Sequence, residues 1–202
     1  MMRMATFVIF FLASITIFGC KEDGTGTVEG VFTISDCGLE NREVNLSVDY
    51  FTASYFENTL TVRLQHTTQN YISADGLQLE IRDVDAVADA LGEPITISLV
   101  PSLAEFKENG PSESTGYESG FPATPYNSKA RATLYLYDTC PDSQVAFADG
   151  EGTITFSHIY RPDGAKRIVG TFSLEFIDPR TWKSSEDYGS SAHIIGDFDF
   201  EY

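Results

Sequence analysis

Hydrophobic and polar residues alternate along most of the chain, and a period of two residues predicts β-strands with one buried and one solvent-facing side. In one such stretch, Leu134 and Leu136 alternate with Tyr135 and Tyr137. Stretches of this kind occur at residues 28–34, 44–50, 60–64, 77–81, 95–99, 132–136, 152–156, 168–176 and 194–202. The pattern therefore predicts an all-β protein with eight or nine strands.

Helical periodicity is visible after residue 26 only at residues 83–91, where it ends before Gly92 and Pro94. The last three strand-like stretches follow one another closely, which favours an antiparallel meander. We therefore expect one antiparallel β-sandwich domain over residues 27–202, because irregular strand lengths and connections suit two packed sheets. A calycin-like β-barrel is the alternative.

Residues 101–129 break the alternation with four prolines and three glycines. Connections of this length in a compact domain are usually functional or disordered. Aromatic rings on this segment and on residues 179–191 are therefore candidate binding residues, although such rings also commonly pin a loop to its domain. The candidates are Tyr117, Phe121, Tyr126, Trp182 and Tyr188.

The N-terminal segment has a different character from the rest of the chain. Arg3 precedes an apolar run of about 14 residues, which is too short to span a bilayer and typical of a signal-peptide core. The run ends in Ile17-Phe18-Gly19-Cys20, and a small residue before a cysteine resembles the lipobox of bacterial lipoproteins. The resemblance implies a helical signal peptide at residues 1–19, lipidation of Cys20 and a lipidated tether at residues 20–26. An ordinary cleaved signal or an anchor helix is the alternative.

The residues after Cys20 bear on the location of the protein. In bacterial lipoproteins an Asp at the position of Lys21 commonly marks retention in the inner membrane, so the resemblance favours the outer membrane. Lys21-Glu22-Asp23 also resembles a surface-export signal of some Gram-negative lipoproteins. We expect a domain attached to the lipid bilayer through acylated Cys20, facing the periplasm or the cell surface.

The C-terminal strands carry a second resemblance. The segments GTITF, RIVGTFSLEF and IIGDFDF are similar in spacing and residue type to a C-terminal module of uncharacterised bacterial lipoproteins. The resemblance implies that the protein belongs to the cell envelope, and it implies no known activity.

Charge narrows the choice of partners. The chain has 13 Lys and Arg against 30 Asp and Glu, a net charge of −17. Phosphate backbones would be repelled by this surface, so nucleic acid is excluded as a partner. The outward row Asp197, Asp199 and Glu201 suits Ca²⁺, which prefers carboxylate oxygens, although such a row is more often a solubilising sheet edge.

The cysteines predict a disulfide. With Cys20 assigned to lipid, Cys37 and Cys140 remain as an even pair in an oxidising compartment. A catalytic thiol or a metal site is the rival interpretation, but the chain has no CxxC motif and no clustered Cys and His to support it.

No catalytic motif is readable in the sequence. It contains no G-x-S-x-G elbow, phosphate-binding loop or H-E-x-x-H, and His66, His158 and His193 are isolated. We therefore expect a non-enzymatic binding or structural module of the cell envelope that needs no cofactor and binds an envelope protein or glycan. A hydrolase that uses carboxylates on envelope or extracellular glycans is the alternative.

Overall fold

The computed structural model describes residues 24–66, 74–111, 121–142, 145–159, 166–187 and 189–201. The predicted signal peptide and Cys20 lie outside these ranges, as do the candidate binding residues Tyr117 and Tyr188. Within the described ranges, no helix is both long enough and apolar enough to cross a bilayer.

Six strands form the larger antiparallel sheet. In spatial order they are β2 (Leu39–Leu46), β1 (Gly24–Ile34), β11 (Ser191–Glu201), β10 (Arg167–Ile177), β9 (Gly150–His158) and β6 (Pro94–Ile97). The meander predicted for the C-terminal third is present as β9, β10 and β11, which pair in order. Strand β1 begins at Gly24, so residues 24–26 belong to the sheet and not to the predicted tether.

Five strands form the second antiparallel sheet. In spatial order they are β3 (Tyr50–Phe56), β4 (Thr59–Gln65), β5 (Gly76–Arg82), β7 (Ala130–Leu136) and β8 (Val145–Phe147). The two sheets are separate, each with two edge strands, and do not close into a barrel. The all-β sandwich prediction is therefore confirmed, and the barrel alternative is not observed.

The described strands number eleven, more than the eight or nine predicted. One difference is at residues 44–50, where the alternation continues from β2 into β3 although the chain leaves one sheet and enters the other. The second is β8, which is only three residues long. A strand that short carries too few residues to establish a period.

The predicted helix at residues 83–91 is present as α1 (Val84–Asp89), but a second helix, α2 (Leu103–Asn109), was not predicted. Helix α2 starts with a capping box, in which the Ser102 side chain and the Glu105 carboxylate each accept from the other residue's backbone N–H. These bonds to Ser102 lower the pKa of Glu105. The interpretation of residues 101–129 as continuous loop is therefore wrong at this helix, although the S-x-x-E signal was readable.

The core lies between the two sheets and is rich in phenylalanine. On β10 and β11 the predicted apolar faces are buried in it: Ile168, Phe172, Leu174 and Phe176, and Ile194, Phe198 and Phe200. Removing this area from water is the main stabilising contribution to the sandwich.

The two sheets cross at a steep angle. Phe51 of β3 packs on Phe200, beside the start of β1, with ring centroids 5.5 Å apart. At the opposite edge of the smaller sheet, Phe147 of β8 packs on Phe176 of β10 at 6.0 Å, and Phe176 is level with Phe32 near the end of β1, two strands away. The strand order of the smaller sheet therefore runs along the strands of the larger one, as in orthogonal sandwiches.

A second hydrophobic cluster covers one end of the six-stranded sheet on its outer side. Since Phe176 enters the main core, the next residue, Ile177, faces outward and packs with Leu103 and Phe106 of α2. Trp182 closes this cluster against Phe106 at a centroid distance of 6.4 Å. The segments 99–111 and 177–182 are therefore packed parts of the domain.

The predicted disulfide between Cys37 and Cys140 is present, with Cα atoms 5.3 Å apart. Cys37 ends a short 3-10 helix, Ser35–Cys37, that follows β1, whereas Cys140 lies four residues beyond the end of β7. The bond therefore joins the two sheets to each other at strand ends.

Candidate functional site

The candidate site lies on the outer face of the five-stranded sheet. Alternation places polar and aromatic side chains there, because Leu64, Leu77 and Leu134 occupy the inner face. The outward residues of the three central strands are Thr59, Thr61, Arg63 and Gln65 on β4, Gly76, Gln78, Glu80 and Arg82 on β5, and Arg131, Thr133 and Tyr135 on β7. This face carries several hydrogen-bond donors and acceptors within the reach of one ligand.

A groove of about 190 Å³ opens in this face. Its floor is Gly76, which has Gln65 opposite it on one side and Tyr135 on the other. Because glycine has no side chain, the sheet has a notch between two larger neighbours. The lining residues are Arg63, Gln65, Ala74, Gly76, Leu77, Gln78, Tyr135 and Tyr137.

Glycine at position 76 is also required by the packing of β4 against β5. A Cβ atom there would lie 2.7 Å from the Cβ of Gln65 and 2.7 Å from the carbonyl oxygen of Leu64. Both distances are well inside van der Waals contact, so another residue would push the strands apart. The absence of a side chain at Gly76 therefore explains both the close approach of the two backbones and the notch above them.

Two tyrosine rings form one wall of the groove. Tyr135 points outward from β7, and Tyr137, the first residue after that strand, lines the same groove. Their ring centroids are 5.6 Å apart and the rings are tilted by 48°. Both side chains are half-buried, which leaves ring surface exposed to the groove.

Arg63 is the cation among the described lining residues of the groove. Its Nε donates a hydrogen bond of 2.9 Å to Oε1 of Gln78, the residue directly opposite on β5. The other arginines of this face are neutralised, since Arg82 pairs with Glu80 and Arg131 pairs with Asp149. Arg63 forms no ion pair with any residue that the structure describes.

Asp75 ties the two sides of the groove together from below. It is 6% exposed and accepts hydrogen bonds from the backbone N–H of Asp138, at 2.8 Å, and of Thr139, at 3.0 Å. Its chain neighbours Ala74 and Gly76 line one side, and Tyr137, which precedes Asp138, lines the other. The disulfide at Cys140 holds the same turn.

The aromatic residues singled out from the sequence are in other places. Phe121 and Trp182 pack against the second hydrophobic cluster, so both are loop anchors, the alternative that the sequence left open. Tyr126 is 96% exposed, and its backbone carbonyl accepts a hydrogen bond from Arg82. The described candidates therefore do not converge on one cleft.

The acidic row of β11 is engaged within the protein. Asp197 accepts a hydrogen bond from Thr27, and Asp199 pairs with Arg167, whose hydrogen bonds and charge lower the pKa of that carboxyl. Glu201 is exposed. Across the described ranges, no three His, Cys, Asp or Glu side chains lie close enough to share a metal ion.

A second groove, of about 480 Å³, lies on the outer face of the six-stranded sheet. Val31 and Ile195 provide its apolar surface, and Glu29 and Glu43 are the carboxylates beside them. Its described lining includes His193 but no Phe, Tyr or Trp. It therefore differs in chemistry from the groove beside Tyr135 and Tyr137, which we call the tyrosine groove.

A hydrolase that uses carboxylates would need them at its site, but no Asp or Glu is among the described lining residues of the tyrosine groove. Elsewhere, hydrogen bonds lower the pKa of Glu105, Asp187 and Asp199, whereas a general acid requires a raised carboxyl pKa.

No protein-family model matches the chain, and neither a curated protein nor a solved structure does.

Proposed function

We propose that this protein is a lipid-anchored module of the cell envelope that binds a glycan in the groove of the five-stranded sheet. The observation that carries the proposal is the pair Tyr135 and Tyr137 beside a notch rimmed by Gln65 and Gln78. The rings provide an apolar wall, and the amides provide hydrogen-bonding groups around it.

This combination fits the chemistry of a sugar. A pyranose ring has faces of C–H groups, which pack on an aromatic ring, and an edge of hydroxyl groups, which need donors and acceptors together. A glutamine amide offers both, and a tyrosine hydroxyl does too. A shallow groove on a rigid sheet also admits one or two units of a longer chain without closing around its ends.

Attachment at Cys20 would hold the domain close to the membrane. Four Cα–Cα steps separate Cys20 from Gly24, a reach of at most about 14 Å. Strand β1 then runs for 11 residues, or roughly 33 Å from its first to its last residue. The Gly24 end of the sandwich would face the bilayer, and the Cys37–Cys140 end would face away.

Replacing Cys20 tests the location. We expect Cys20→Ser to move the protein from the membrane fraction to the soluble fraction, because the thiol that accepts the lipid is lost. The measurement is cell fractionation followed by immunoblotting and intact-mass analysis of the processed protein. Cys37→Ser is the matched control, since that cysteine is in the disulfide and its variant should stay in the membrane fraction. Equal membrane retention of the Cys20 variant and the unaltered protein would contradict lipid anchoring.

Removing the tyrosine rings tests the binding site. We expect Tyr135→Ala and Tyr137→Ala each to weaken binding of the best glycan on a printed array by about tenfold, because one ring contact contributes about 1–2 kcal/mol. Tyr126→Ala is the control, because that ring is exposed and outside the groove. Unchanged affinity in both groove variants, with folding confirmed by circular dichroism, would refute the proposed site.

A further inference from the structure

The charges of the five-stranded sheet indicate which glycans the groove prefers. We propose that its ligand is an acidic glycan, with a sugar carboxylate bound by Arg63 while the sugar ring packs on Tyr135 or Tyr137. The inference rests on the proposed glycan-binding function and specifies its ligand class. The observation that supports this inference is that the two other arginines of this face pair with carboxylates, whereas Arg63 pairs with none among the described residues.

Arg82 and Arg131 already have carboxylate partners in the fold. Nε of Arg82 lies 2.8 Å from Glu80, and Nε of Arg131 lies 2.9 Å from Asp149, whose side chain is 15% exposed. Arg63 instead donates to the neutral amide of Gln78. Its full positive charge is therefore exposed beside the groove, in a protein whose net charge is −17.

The hydrogen bond to Gln78 also orients the guanidinium. A guanidinium has five N–H donors. Since the Nε–H donates the bond to Gln78, the four N–H groups of the two terminal nitrogens remain for a ligand. The edge formed by these two nitrogens matches the two oxygens of a carboxylate and pairs with them in a bidentate manner. Arg63 is held in this way by its neighbour on β5, so less side-chain freedom is lost on binding.

The acidic surface elsewhere does not prevent this interaction. At physiological ionic strength, charges more than about 8 Å apart across solvent are largely screened. The lining residues of the groove include one cation and no carboxylate among those described. A negatively charged sugar in the groove therefore experiences mainly the nearby guanidinium.

The test uses the full-length protein in non-ionic detergent and an array of neutral, uronate-containing, sialylated and sulfated glycans. We expect the carboxylated glycans to bind best. In calorimetry, methyl esterification of the carboxylates of the best binder should weaken its binding by about tenfold or more, because the charge-assisted hydrogen bonds are lost. The same esterification should change the affinity of the Arg63→Gln variant by less than about twofold, since that variant has no charge to pair.

Two further variants separate pairing from folding and from general charge. Arg63→Lys keeps the charge without the planar fork, so part of the preference for the carboxylate should remain. Arg42→Gln removes an exposed arginine from β2 of the other sheet, and the preference should be unchanged. Urea denaturation of each variant verifies that the domain is folded.

The outcomes distinguish this inference from the function on which it rests. If neutral and acidic glycans bind equally and Arg63→Gln has no effect, the carboxylate assignment is wrong while glycan binding stands. Preference for sulfated over carboxylated glycans would also overturn it. If no glycan on the array binds, both the proposed function and this inference fail.

Discussion

Replacing both disulfide cysteines, as Cys37→Ala with Cys140→Ala, is expected to lower the free energy of unfolding by about 2–5 kcal/mol. The bond closes a segment with a sequence separation of 103 residues. In the chain-entropy model, a loop of that length stabilises the folded protein by about 4.7 kcal/mol. The bond also links segments of the two sheets, so without it those segments can move further apart in the unfolded chain.

Equilibrium urea denaturation under non-reducing conditions, followed by circular dichroism, measures this loss. Dithiothreitol provides the matched control, because it should destabilise the unaltered protein by a similar amount and leave the double variant unchanged. A loss below about 1 kcal/mol would show that hydrophobic packing alone keeps the sheets together. Equal sensitivity of both proteins to dithiothreitol would show that the disulfide does not form in solution.

The strands and their faces follow from local pattern. Strand β10 illustrates why: Phe172, Leu174 and Phe176 recur every second residue, and the polar residues between them leave one choice for the buried side. The Cys37–Cys140 pair was predictable for another reason, since assigning Cys20 to lipid left two cysteines, which are expected to pair if the protein is exported. Both inferences need only residue order and no knowledge of pairing between strands.

Elements that depend on their surroundings were harder to predict. Strand β2 is at a sheet edge, so six of its eight residues are not buried and it has little alternation. The chain then leaves the larger sheet through residues 47–49, within a stretch where the alternation continues into β3. Helix α2 had a local signal in Ser102 and Glu105, but the surrounding prolines and glycines outweighed it.

The candidate site was only partly predictable. Alternation assigns Tyr135 and Tyr137 to one outward face; in the structure Tyr135 has that position on β7, and Tyr137 directly follows the strand and lines the same groove. It does not tell which strands are neighbours, and the groove depends on β5 lying between β4 and β7. Gly76, Arg63 and the tyrosines line one groove only because the strands pair in this order. Alternation alone does not reveal that groove, and the sequence indicated loop aromatics such as Trp182 instead.

The two outer faces of the sandwich have different chemistry, which favours one of them as the ligand-binding face. The six-stranded sheet exposes aliphatic and acidic residues, and α2 covers part of it through Lys107, which pairs with Glu175. The five-stranded sheet exposes tyrosines, glutamines and arginines. The second set provides both apolar contact and directional hydrogen bonds, as recognition of a polar ligand requires.

The groove needs a rigid sheet beneath it, and the phenylalanines between the sheets provide that rigidity. Phe198 is central among them. Its ring lies 5.8 Å from that of Phe156 and 6.4 Å from that of Phe172, measured between centroids. Its two cross-strand neighbours are Gly26 and Gly170, and the ring covers the space that the missing side chain of Gly170 leaves, whereas Phe51 covers Gly26.

We expect Phe198→Ala to lower the free energy of unfolding by about 3–5 kcal/mol, the usual range for removal of a buried phenylalanine ring. The upper part of the range applies because Gly170, which the ring covers, has no side chain that could move into the cavity. The measurement is again urea denaturation, with Phe56→Ala as the control. Phe56 is 72% exposed, so its variant should differ from the unaltered protein by no more than about 0.5 kcal/mol. A loss below about 1.5 kcal/mol for Phe198→Ala would mean that the core collapses around the vacated space and is less rigidly packed than its ring geometry indicates.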